Sequence, residues 1–194
     1  IQAINVTSNA QVTAIYSSRP LDDAEESKRW NTPVKTYTDL NAMLSDNELD
    51  IVSICSYPSQ QKDHAVSAAA AGKHLIIEKP LALSIQDCEA VKAAVEKANV
   101  KTCFCFECRY SSQFLATKAV VDQGLLGELH YGEIDYYHGI GPWYSPYRWN
   151  IRKDAGGSSL LTAGCHAMDA LLLLMGTDVV EVTSYQAKSK CDFF

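Results

Sequence analysis

Hydrophobic positions come first in short continuous runs. Val12–Ser17 (VTAIYS), Asp50–Cys55 (DIVSIC), His74–Ile77 (HLII) and Val100–Phe106 each read as a buried strand. Helical spacing fills the intervals. Asp22–Trp30 is a polar helix stopped before Pro33, and Thr38 is placed to cap a short helix through Leu44. Gln60–Ala71 is an alanine-rich helix ended by Gly72. Ser84-Ile85-Gln86-Asp87 forms a capping-box pattern, and Ile85, Cys88, Val91, Val95 and Ala98 recur at intervals of three and four behind it. Strand and helix alternate from Val12 to Phe106, which implies parallel βαβ units in a doubly wound α/β sheet.

The pattern then changes. Phe114–Gln123 reads as a helix, Leu129–His138 (LHYGEIDYYH) as a long aromatic strand, and Gly139–Trp149 as a Gly-, Pro- and Trp-rich loop. Ala155–Gly176 (AGGSSLLTAGCHAMDALLLLMG) reads as one helix and Val179–Ala187 as another strand. The expectation is two domains. Residues 1–106 form a partial Rossmann domain whose first strand and glycine turn are missing. Residues 107–194 form part of an α+β domain with an open, mainly antiparallel sheet.

Composition narrows the function classes. The chain has 194 residues, 47% hydrophobic and 21% charged, with net charge −6. This is a globular composition without the basic footprint of a nucleic-acid binder. The apolar run Leu160–Met175 is too short for a membrane span and contains Thr162, His166 and Asp169. Seven cysteines, an odd number, point to a reduced, cytoplasmic protein. Cys103, Cys105 and Cys108 lie close together, but Cys103 and Cys105 alternate with Phe104 and Phe106 as in a strand. No second cluster completes a zinc site, so no metal is expected.

Three stretches carry a resemblance. Ala71-Gly72-Lys73-His74 leads into Glu78-Lys79-Pro80; Gly124-Leu125-Leu126-Gly127 follows; Ala155–Asp169 holds the pattern GG…L…G.H..D. Together and in this order they resemble the Gfo/Idh/MocA oxidoreductases, named for glucose–fructose oxidoreductase and inositol dehydrogenase. The resemblance implies hydride transfer between a nicotinamide cofactor and a sugar, cyclitol or related polyol, and a homo-oligomer built on the C-terminal sheet.

Candidate roles follow from it. Removing a hydride from an alcohol carbon requires a group that takes the hydroxyl proton. Lys79, at the carboxyl edge of a strand, and His166 suit that role, with Thr162 where an aspartate is common in the family. Ser18 and Arg19 follow the first strand without an acid at its tip, which favours NADP over NAD. Ser56, Tyr57, Gln60, Glu78, Lys79 and Glu107 are the other cofactor candidates. In the 56–61 loop, Gln61 replaces a family histidine. Arg109, Trp149 and Asp169 are assigned to substrate, and Trp143, Tyr144 and Arg148 are further pocket candidates. Asp169 is placed either to orient His166 or to bond nearby backbone. Gly164 is expected to admit the cofactor or substrate closely.

No G-x-G-x-x-G turn occurs, and Ile1–Val6 reads like the tail of the helix that should follow one. The alternative is therefore a truncated or non-catalytic binding and assembly module, with an exposed sheet edge. A third reading is a hydrolase or isomerase that uses the nicotinamide transiently.

Overall fold

A computed structural model describes residues 1–187. The elements are α1 (Gln2–Asn5), β1 (Ala14–Tyr16), α2 (Asp23–Trp30), β2 (Lys35–Tyr37), α3 (Leu40–Leu44), β3 (Ile51–Ile54) and α4 (Pro58–Ala70). There follow β4 (His74–Glu78), α5 (Ile85–Ala98), β5 (Thr102–Cys105), a 3₁₀ turn Glu107–Tyr110, α6 (Ser112–Asp122) and α7 (Tyr147–Asn150). A π-helical turn, Leu160–Gly164, then leads into α8 (Cys165–Met175).

All strand pairs among the described residues are parallel. β1 pairs with β2, and β3, β4 and β5 form a second ladder in that order. In a Rossmann sheet of strand order 3-2-1-4-5-6, these pieces correspond to 3-2 and 4-5-6. The division between them falls at the position of strand 1, the strand the sequence was expected to lack.

Local chemistry explains the elements. Pro58 at the first position of α4 has no N–H to leave unbonded there, and it starts the helix two residues earlier than periodicity suggested. Asp39, not Thr38, caps α3: its carboxylate accepts from Asn41 N at 2.8 Å. In α5, Ser84 Oγ accepts from Asp87 N at 3.1 Å and donates to Asp87 Oδ2 at 2.7 Å, as the capping pattern predicted. The core lies between α4, α5 and the three-stranded sheet. Leu75 and Ile77 of β4 are fully buried there, and each burial is worth about 2 kcal/mol.

The second half departs from expectation. Neither Leu129–His138 nor Val179–Ala187 carries a strand, and no antiparallel ladder occurs among the described residues. A strand requires a neighbour to take its backbone bonds. Here side chains such as Tyr137, Val180 and Tyr185 are more than nine-tenths exposed. Residues 155–176 are not one helix either: residues 155–159 precede the π turn, which joins α8. No helix among the described residues is long and apolar enough to cross a membrane.

Candidate active-site cleft

The carboxyl end of β4 delivers Glu78 and Lys79 to the sheet edge, followed by the cis Lys79–Pro80 peptide. Lys79 Nζ donates to the backbone carbonyl of Thr162 at 2.7 Å, joining residues 83 apart in sequence. The Thr162 hydroxyl is engaged elsewhere, donating to Ser158 O at 3.0 Å. The lysine therefore meets the carbonyl of residue 162 and not its side chain. Glu78 Oε2 accepts from Lys79 N at 3.0 Å.

Two glycines bring the second half onto this edge. A Cβ on Gly156 would lie 2.7 Å from Asn150 O, so only glycine lets the chain pass that close to α7. Gly157 has φ +80°, and a Cβ there would meet Leu83 and Leu161 at 2.9 Å. At Gly164 a Cβ would meet Leu160 of its own segment at 3.0 Å.

His166 is buried at the start of α8. Tyr136 stacks on its ring at 6.2 Å and Phe106 meets it edge-on at 6.1 Å. Its Nε2 lies 3.6 Å from Glu107 Oε1 and its Nδ1 3.9 Å from Cys108 Sγ. Burial, and then the positive charge of Lys79, hold its pKa below the ordinary value. The neutral imidazole is thus favoured, the form that accepts a proton. Glu107, Cys108 and His166 also present one ligand atom each within 4.8 Å of one another, a set able to hold a metal ion.

Asp169 does not orient His166. It is buried and forms a two-pronged ion pair with Arg109, whose Nε donates to Asp169 Oδ2 at 2.8 Å. The two substrate candidates thus bind each other and tie the 3₁₀ turn to α8. Trp149 packs on Tyr57, ring centroids 5.5 Å apart. Tyr144 and Trp149 line a cleft of about 210 Å³ beside Lys79, whereas Trp143 is 80% exposed outside it. Ser56 belongs to the cleft and its hydroxyl meets His64 Nδ1 at 2.9 Å. Gln60 is exposed on the first turn of α4. Ser18 and Arg19 are exposed beyond β1, where Arg19 N donates to Ser17 Oγ.

The structure adds Asn150 and Gln61, both buried and both lining the cleft. The departure of Gln61 from the family histidine was the available signal for it; Asn150 sits in an irregular loop and had none. Cys108 and Tyr136 join His166 through contacts that sequence spacing does not show.

Comparison with known proteins agrees with this geometry. The NAD-binding Rossmann-fold model of the oxidoreductase family Gfo/Idh/MocA matches residues 1–106, and a C-terminal domain model of the same family matches residues 114–191. An uncharacterized oxidoreductase of Synechocystis sp. is 28% identical over 91% of this chain and 47% of its own length. The NADP⁺-dependent scyllo-inositol 2-dehydrogenase of Bacillus subtilis is 24% identical over 89% of this chain and 47% of its own. Among solved structures, levoglucosan dehydrogenase in complex with NADH and levoglucosan superposes with a TM-score of 0.72. That match is 24% identical and covers 84% of this chain and 44% of that one. The chain spans about half the length of the curated relatives it matches. By sequence, by the parallel ladders and by the Lys79 edge, it belongs to the Gfo/Idh/MocA oxidoreductase family.

Proposed function

We propose that this chain carries the reacting centre of a nicotinamide-dependent oxidoreductase acting on a sugar, cyclitol or related alcohol. The observation that carries the reading is the Lys79–Thr162 tether beside the buried His166. The residues present fit the nicotinamide end of a dinucleotide. Ser56, Pro58 and Lys79 wall a cleft at the carboxyl edge of a parallel sheet. Bound there, the cofactor supplies the hydride acceptor or donor. In alcohol oxidation His166 accepts the hydroxyl proton, while the Lys79 ammonium hydrogen-bonds the reacting oxygen and steadies its developing negative charge. In reduction the protonated His166 returns that proton to the oxygen, and the Lys79 ammonium again donates a hydrogen bond to it. Thr162 supplies the carbonyl that holds Lys79 in place.

Ser18 and Arg19 at the exposed tip beyond β1 suit the 2′-phosphate of NADP, with NAD as the alternative. Gln60, Tyr57 and Glu107 are the outer cofactor contacts, and Trp149 is the sugar-facing ring. We divide the chain at residues 106 and 107 into cofactor and substrate domains. The six described cysteines are free thiols, which suits a reducing, cytoplasmic setting. Exposed apolar side chains in the C-terminal half, such as Val180 and Tyr185, suit a homo-oligomer contact.

The test is titration of the chain with NADPH and then NADH by calorimetry, followed by turnover on cyclitols and sugars. Expected are NADPH-preferring binding and loss of turnover in Lys79→Ala and His166→Ala. Full activity in both variants overturns the site assignment, and binding of neither nucleotide overturns the catalytic reading of this chain.

A further inference from the structure

Two residues that line the cleft beside Lys79 carry buried amide oxygens without a partner among the described residues. Gln61 is 1% exposed and Asn150 is 3% exposed, yet Gln61 Oε1 and Asn150 Oδ1 accept no hydrogen bond. A buried acceptor left unpaired is costly, and native proteins leave few. Here two come from different elements, α4 and α7, and meet in one cleft.

Their placement is built. Gln61 Nε2 donates to Ser56 O at 3.3 Å, which fixes the amide's orientation and leaves the buried oxygen unpaired. Asn150 N donates to Pro146 O at 2.9 Å, and Gly156 lies against the Asn150 backbone where no other residue fits. The fold therefore commits a glycine of the GG motif to seating an asparagine whose side-chain oxygen bonds nothing.

Chemistry selects the ligand. Two carbonyl oxygens call for donors, and the Lys79 ammonium on the same cleft disfavours a cation. An anion offers no hydrogen to the two oxygens. Neutral hydroxyls satisfy all three groups, donating to the amides and accepting from the lysine. We propose that Gln61 and Asn150 are specificity-determining residues. Their oxygens receive two hydroxyl hydrogens of a neutral polyol ring whose reacting oxygen lies at Lys79. This rests on the function proposed above. An NH₂ donor, such as the carboxamide of the nicotinamide, is the competing occupant, and the experiment separates the two.

Asn150→Leu and Gln61→Met remove each acceptor at similar volume. Thermal unfolding, NADPH affinity by fluorescence, and affinity for myo-inositol, levoglucosan and glucose by calorimetry are measured on the unsubstituted chain and both variants. Expected are an unchanged or higher Tm, because an orphaned buried acceptor is gone, and an NADPH Kd within about twofold. Affinity for the bound polyol falls about tenfold or more, as in sites that lose a hydrogen bond to a substrate hydroxyl. Unchanged polyol affinity in both variants overturns the inference. So does a fall in Tm in both, which marks a structural role, or a loss of NADPH affinity, which assigns the oxygens to the cofactor. An unsubstituted chain that binds NADPH but none of the three polyols overturns this inference alone. One that binds neither overturns the proposed function with it.

Discussion

The Arg109–Asp169 pair makes an asymmetric prediction. Asp169 is 8% exposed at its side chain and Arg109 is 45% exposed. Replacing Arg109 by Met strands a buried carboxylate, whereas Asp169→Asn leaves a half-exposed guanidinium that water can still reach. Breaking a fully buried pair from one side costs about 3–5 kcal/mol. The exposure of Arg109 places Arg109→Met at the lower end, about 3 kcal/mol. Asp169→Asn keeps an acceptor and should cost about 1–2 kcal/mol. Urea unfolding of both single variants and the double variant, by linear extrapolation, gives the two costs and their coupling. Equal costs for the two variants, or a larger cost for Asp169→Asn, would refute the reasoning.

Two further outcomes are expected. His64 and His166 both have pKa values below the ordinary 6.5, in each case chiefly through burial, so the unfolded chain binds more protons in the window just below that value. Stability should be full above about pH 6.5 and fall as pH drops through the window. The slope of urea midpoint against pH should shrink in His166→Gln, and an unchanged slope would contradict the shift. Gly157→Ala forces a side chain to φ +80° and against Leu83 and Leu161 at 2.9 Å. It should cost about 1–3 kcal/mol, and a Tm equal to that of the parent would show the turn to be relaxed.

What was legible in the sequence is what short-range chemistry decides. β3, β4 and α5 stand close to where their runs and caps placed them, because Ile51–Ile54, His74–Glu78 and the Ser84 cap carry their own signals. β2 was missed. Lys35-Thr36-Tyr37 has no apolar run, and it is held by pairing with β1 and by Thr36 N donating to the Asp23 carboxylate at 2.8 Å. Lys79 and His166 were found through motifs, but their partners were not. A search for side chains cannot anticipate a lysine that takes a backbone carbonyl, nor an aspartate that takes an arginine 60 residues away. The alternating pattern in Leu129–His138 describes a strand's faces without supplying a neighbouring strand. Cys191 lies outside the described residues.

The π-helical turn at Leu160–Gly164 has a consequence for insertions and deletions. Such a turn holds one more residue than an α turn, so it offsets the angular register of everything before it from everything after it. Deleting one residue there would close the turn to α geometry and remove the wide turn that now presents the Thr162 carbonyl to Lys79. A change of side chain at residue 162 leaves the backbone turn intact, so the lysine tether tolerates substitution there better than loss of a residue.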